Sequence, residues 1–140
     1  MDPKDYKFTK EHEWVLVEDD IATIGISDYA AGELGDIVYI ELPEKGSKVR
    51  QMDPIGTIEA VKTVADIYSP ISGEIVDVNE EVVQHPEIVN SSPYEDGWMI
   101  KVRLEDKGEL DVLFSYDEYQ DYLGEQAEDE IDETDQEDEE

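Results

Sequence analysis

The sequence predicts a mostly β domain, a sandwich or barrel of two similar half-sheets with short flanking helices. Apolar and polar residues alternate over short stretches, turn signals recur between them, and one six-residue unit occurs twice. Over residues 98–104, Trp98, Ile100, Val102 and Leu104 share one face of an extended chain, and Met99, Lys101 and Arg103 share the other. Ala22, Ile24 and Ile26 alternate with their neighbours in the same way. So do Val38, Ile40 and Leu42 against Ile37, Tyr39 and Glu41. Pro43-Glu44-Lys45-Gly46, Asp53-Pro54, Ser69-Pro70, Ser72-Gly73 and Asn90-Ser91-Ser92-Pro93 read as turns. The unit Gly35-Asp36-Ile37-Val38-Tyr39-Ile40 returns 38 residues later as Gly73-Glu74-Ile75-Val76-Asp77-Val78. Two copies fit a pair of quasi-symmetric sheets, whereas a solenoid needs more.

Two helices are expected. One starts at Ser27 or Asp28 as N-cap and runs to about Leu34, with Gly35 as its stop. The other covers residues 115–123: Ser115 and Glu118 make a capping box, and Gly124 ends it. Its Tyr116, Tyr119 and Leu123 sit at helical spacing, ready to pack on a sheet. A short helix over residues 109–114 is also compatible with the pattern.

Composition narrows the function. At 140 residues, 39% of them hydrophobic, the chain has material for one modest core. No apolar run reaches the roughly 18 residues of a membrane span. The acidic, polar start lacks the features of a secretory signal or an Arg-rich transit peptide, so a cytoplasmic location is expected, although a mature organellar chain would look similar. With no cysteine, disulfides and thiolate metal sites are excluded, and His12 and His85 lack metal-ligand spacing; no metal site is expected. Forty acidic residues face ten basic ones. Such a surface repels nucleic-acid phosphates and anionic membranes and favours partners with basic docking faces. Solubility or adaptation to high salt would account for the same acids. Residues 125–140 hold 11 acids, no base and a single large aliphatic residue, Ile131. They are expected to form a disordered acidic tail, an electrostatic bristle or a binding tail, beside a folded unit of residues 1–124.

The most informative stretch lies between the two repeat copies. Lys62 is flanked by Ile58, Ala60 and Val61 on one side and Val64, Ala65 and Ile67 on the other, with no Gly, Pro or Asn to break the run. A single strand there would be about 16 residues long, beyond the usual roughly three to ten. A hairpin folded near Lys62 is the better geometry, and it displays one lysine at a turn. The carboxylates of Glu59 and Asp66 favour its ammonium form, which suits modification by another enzyme better than nucleophilic chemistry of its own.

Residues 56–75, GTIEAVKTVADIYSPISGEI, closely resemble the lipoylation region of glycine cleavage H proteins. His12-Glu13-Trp14-Val15, Thr23-Ile24-Gly25-Ile26-Ser27-Asp28-Tyr29-Ala30, Leu34-Gly35-Asp36-Ile37-Val38, Leu42-Pro43-Glu44-Lys45-Gly46 and Asn90-Ser91-Ser92-Pro93-Tyr94-Glu95-Asp96-Gly97-Trp98 resemble further blocks of that family, in family order, over about residues 8–124. The acidic tail has no counterpart in the family pattern. The resemblance implies a barrel-sandwich hybrid of the lipoyl/biotinyl type, with its lipoyl-binding core at about residues 21–103. It implies lipoate in amide linkage on Lys62, attached by lipoate-attaching enzymes. It implies a carrier that takes the aminomethyl group of glycine from a pyridoxal-phosphate glycine decarboxylase, the P protein, to a tetrahydrofolate-dependent aminomethyltransferase, the T protein. Dihydrolipoamide dehydrogenase, the L protein, then reoxidises the arm. Glu11, Glu13 and Asp66 match the region where the family shelters its loaded arm, and they would hold a cationic amine there. His12 is assigned no role, and Trp14 and Trp98 are expected in the core. A monomer is expected.

No nucleophile–base pair, Gly-rich phosphate loop or metal cluster is legible, so the chain is not expected to be an enzyme. Biotin domains flank their lysine with methionines, and lipoyl domains of 2-oxo acid dehydrogenases place an aspartate before it; Val61 and Thr63 differ from both. An H-like carrier in lipoate relay or sulfur metabolism remains open. So does an acidic interaction protein with no carrier role.

Overall fold

The computed structural model describes residues 6–124. The expected acidic tail, 125–140, and residues 1–5 of the expected 1–124 unit lie outside the described residues. The described chain is mostly strand, in two antiparallel sheets, as the alternation predicts. Six strands form the larger sheet: β1 (Lys7–Phe8), β2 (Glu13–Glu18), β3 (Ile21–Ile26), β5 (Lys48–Val49), β8 (Gly73–Val78) and β9 (Ile100–Leu104), in the order β1-β2-β3-β9-β8-β5. The smaller sheet contains β4 (Ile37–Glu41), β6 (Pro54–Ala60) and β7 (Val64–Tyr68), with β6 in the centre. The two copies of the repeat become β4 and β8, one in each sheet.

Three apolar clusters hold these layers. Val15, Ile24, Ile75, Ile100 and Val102 of the large sheet pack together with Ile71 as one cluster. Ile26, Ile37, Ile40, Ile58, Ile67 and Met99 fill the space beneath the small one. The third cluster is aromatic: Phe8 stacks on Tyr119 with centroids 4.4 Å apart, and Tyr6 tilts against Trp14 at 5.0 Å. The Trp14 indole N–H donates to the Pro93 carbonyl at 3.0 Å. Trp14 faces Gly25 across the β2–β3 ladder, and a Cβ at Gly25 would come within 2.8 Å of the indole. The glycine therefore makes room for the ring.

The expected helices form. In α1 (Asp28–Leu34) the Ser27 hydroxyl accepts from the Ala30 N–H, which makes Ser27 the cap, and Gly35 closes the helix at φ 76°. Residues 116–124 form α4, started by the expected capping box: the Ser115 N–H donates to Glu118 Oε1 at 2.9 Å, and the Glu118 N–H donates to Ser115 Oγ at 3.2 Å. Gly124, the expected stop, is helical and is the last described residue, so the end of α4 lies outside the described residues. The helix expected over residues 109–114 is a 3-10 helix shifted to Lys107–Val112, because Phe114 is drawn into a bridge with Phe8.

Three local features depart from the sequence pattern. Strict alternation fails in β4, where a bulge shifts the register between Ile37↔Ala60 and Tyr39↔Glu59. Ile37 and Ile40 point inward, and the consecutive pair Val38 and Tyr39 both face out. At the start of β9, Met99 is buried, and Trp98 is only half-buried under the Lys101 ammonium, 5.0 Å from the ring centroid. The Met99 N–H donates to the Ile24 carbonyl, and its own carbonyl accepts from Asn79, which turns the side chain into the second cluster. Two short helices, α2 (Glu80–Gln84) and α3 (Glu87–Ser91), occupy a stretch with no legible period. Asn90, expected in a turn, lies in α3 and clamps the start of β4: its Oδ1 accepts from the Ile37 N–H at 3.0 Å, and its Nδ2 donates to the Gly35 carbonyl at 2.7 Å.

Gly56 lets β6 approach β4, since a Cβ there would lie 2.3 Å from the Glu41 carbonyl oxygen. Gly56→Ala is expected to destabilise the domain by about 1–3 kcal/mol, as overpacking does. Urea unfolding should show a lower midpoint at unchanged slope.

Candidate functional site

The hairpin expected around Lys62 is β6–β7. Glu59 pairs with Val64, and the Ala60 N–H donates to the Thr63 carbonyl at 2.8 Å, which leaves Val61 and Lys62 as the loop. Neither loop residue has a positive φ, so this is not the left-handed turn that selects Asn or Gly in two-residue hairpins. The Val61 N–H donates instead to the Asp36 carbonyl at 3.1 Å, tying the loop to the chain just ahead of β4. Lys62 is exposed and takes part in none of the ion pairs among the described residues.

Beside the hairpin lies a cleft of about 300 Å³. Ile58, Ala65, Asp66 and Tyr68 of the hairpin form one wall, and Tyr29, Ala30, Glu33 and Leu34 of α1 form the other. Glu11 and His12 come from the turn between β1 and β2, and Glu13 is the first residue of β2. All three carboxylates singled out in the sequence, Glu11, Glu13 and Asp66, thus line one cleft. Lys62 does not line it; it stands at the tip of the hairpin that forms its wall. An exposed, unpaired lysine beside an acid-lined, partly apolar cleft fits a covalently attached arm with a cationic end.

The three carboxylates differ in setting. Glu11 and Asp66 are exposed, and Glu13 is 1% exposed. Thr9 Oγ1 donates to Glu13 Oε1 at 2.5 Å, and the Tyr68 N–H donates to Oε2 at 3.2 Å. The same Thr9 oxygen accepts from the N–H groups of Glu11 and Glu13. Burial raises the Glu13 carboxyl to about 7, outweighing these hydrogen bonds. A cation entering the cleft would reverse that balance and hold Glu13 ionised.

His12, given no role from sequence, is a structural member of the site. It adopts φ 73° in the tight β1–β2 connection, where its N–H donates to the Thr9 carbonyl. Its Nδ1 lies 2.9 Å from the Tyr119 hydroxyl, which lies 2.7 Å from Ser27 Oγ. Burial lowers the His12 pKa, against the opposing charges of Glu11 and Glu33. His12, Tyr29, Glu33 and Tyr68 were not legible as site residues, because only the fold brings them to the cleft, and Thr9 was not legible as the partner of Glu13. The neighbourhood of His12 and Glu13 was the one available signal.

The family model described as glycine cleavage H-protein matches residues 6–126. Glycine cleavage system H proteins of Staphylococcus carnosus (strain TM300) and Staphylococcus haemolyticus (strain JCSC1435) are each 52% identical to the chain over 123 residues, 88% of this chain and 98% of the relative. A crystal structure of a glycine cleavage system H protein from Mycobacterium marinum aligns with a TM-score of 0.82 at 33% identity, covering 88% of this chain and 99% of that one.

The Glu13 shift has a signed consequence. Between its ordinary 4.5 and about 7 the folded state keeps a proton that the unfolded chain has released, so this group makes stability fall as pH rises through that window. Glu13→Gln removes the ionisable group and with it this dependence on pH. The stability of the variant minus that of the wild type, from urea unfolding at pH 4.5 and pH 8, should rise by roughly 2–3 kcal/mol.

Proposed function

The chain belongs to the glycine cleavage H-protein family, and from that premise we propose that Lys62 carries lipoate in amide linkage and that the cleft shelters the loaded arm. Family membership supports a lipoyl carrier role in the glycine cleavage system, as a carrier subunit. The finer reading is a shuttle. The arm accepts the aminomethyl group of glycine at the P protein, yields it to the T protein and is reoxidised by the L protein. No helix among the described residues is long and apolar enough to cross a membrane.

The observation that carries this reading is the placement of Lys62: exposed at the tip of a hairpin whose own wall residues, Ile58, Ala65 and Asp66, line the acidic cleft. When attached, the lipoyl group supplies the disulfide that takes up and releases the one-carbon unit. The protein's own residues bind, orient and shelter. Ile58, Leu34 and Ala65 offer apolar surface to a hydrocarbon arm. Glu13, buried and oriented by Thr9 and Tyr68, accepts hydrogen bonds from a primary ammonium at the arm's end, and Glu11 and Asp66 add negative charge at the mouth. With Glu13 at about 7, docking of a cationic arm tightens as pH rises through neutrality.

Peptide mass analysis of the protein from its native source should find one lipoyl group, on Lys62; unmodified Lys62 in lipoate-replete cells would contradict the reading. Lys62→Arg should abolish glycine–bicarbonate exchange with the decarboxylase at an unchanged melting temperature. Retained exchange in the purified variant would also contradict it.

A further inference from the structure

Four exposed apolar side chains gather where Lys62 projects: Val38 (56% exposed), Tyr39 (46%), Val61 (69%) and Val64 (60%). Among the described residues, only Met52 and Val112 are comparably exposed large hydrophobics, and neither belongs to the small sheet. Two devices assemble the patch. The β4 bulge turns the consecutive Val38 and Tyr39 outward together, and register places Tyr39, Glu59 and Val64 in one row across the sheet. The Val61–Asp36 hydrogen bond holds the loop against the bulged end of β4. In residues 33–45 and 54–68, which build this side of the molecule, Lys45 and Lys62 are the only bases, against Glu33, Asp36, Glu41, Glu44, Glu59 and Asp66. Apolar side chains with exposed carboxylates around them are the imprint of a partner with an apolar contact and a basic rim.

We propose that this patch is the docking surface for the enzyme that acylates Lys62, reading Val38, Tyr39, Val61 and Val64 together as a folded surface rather than a linear sequence around the lysine. The proposal rests on the reading of Lys62 as the lipoyl attachment point. An enzyme that handles the far end of the arm works at a distance from the hairpin. An enzyme that forms the amide must bring its acyl donor to Nζ itself, and so must cover the tip. With a lipoyl adenylate as donor, the lysine amine, having lost one proton to base, attacks the acyl carbon. The C–N bond forms, the bond from acyl carbon to phosphate oxygen breaks, AMP leaves with the electron pair, and the nitrogen gives a second proton to base to leave the neutral amide. The partner then carries an apolar contact for Tyr39 and Val61, and basic side chains facing Asp36 and Glu41.

The test uses the full unmodified chain, lipoate, ATP and a purified bacterial enzyme that activates lipoate and acylates carrier lysines. Tyr39→Glu and Val61→Glu should each lower kcat/KM for acylation at least tenfold at an unchanged melting temperature. Tyr39→Ala should lower it severalfold, and Val112→Glu, equally exposed but remote, should leave it unchanged. Raising salt should slow the wild type, and Asp36→Asn with Glu41→Gln should flatten that dependence. If wild-type Lys62 is not acylated, the lipoyl reading itself fails. If it is acylated and the Tyr39 and Val61 variants react as fast, the docking surface is overturned and the lipoyl reading stands. Normal acylation of these variants with defects only in exchange with the decarboxylase would also overturn it, by assigning the patch to enzymes that work on the arm.

Discussion

One buried carboxylate joins the two sheets at the cleft. Glu13 begins β2 in the large sheet, and its Oε2 accepts the backbone N–H of Tyr68, the last residue of β7 in the small one. A buried polar group without partners costs several kcal/mol, so the position of Glu13 is fixed wherever Thr9 and Tyr68 stand ready to satisfy it. The hydrogen bonds do not fully compensate the desolvation, which is why the group resists ionising until about pH 7. The site is therefore built with an electrostatic deficit that a cation supplies.

The cleft is held open by packing remote from it. His12 and α1 supply one side, and both are tethered to Tyr119 of α4 through hydroxyl contacts at 2.9 and 2.7 Å. Tyr119 is immobilised by its stacking on Phe8, and Phe8 by a reciprocal pair of backbone bonds with Phe114. A left-handed His12 is tolerated because this surrounding structure over-determines it. The aromatic cluster, which touches no chemistry, thereby sets the geometry of the residues that would.

What the sequence made legible follows from range. The hairpin at Lys62 was readable because an apolar run of that length does not stay extended. Its turn type was not, because a loop without positive φ leaves no Gly or Asn as a trace. Ser27 and the Ser115–Glu118 pair were readable as caps because capping is local chemistry. The β4 bulge was invisible: Val38 and Tyr39 look like any alternating pair until register with β6 is known. Helices α2 and α3 each bury one valine, Val82 and Val89, too little for a period to show. Glu13 was singled out only together with Glu11 and Asp66, by the family resemblance; its burial, completed by contact with Tyr68 more than 50 positions away, is what sets it apart from them.

The small sheet and the cleft differ in how much of the chain must exist before they do. Strands β4, β6 and β7 pair only with one another, within residues 37–68, so the lysine-bearing hairpin closes through contacts of short sequence separation. The cleft wall around His12 waits for Tyr119, and β1 waits for Phe114, partners more than 100 residues downstream. During synthesis from the N-terminus the display of Lys62 is thus encoded early and locally, and the shelter beside it is completed only once residues more than 100 positions beyond β1 and His12 have emerged.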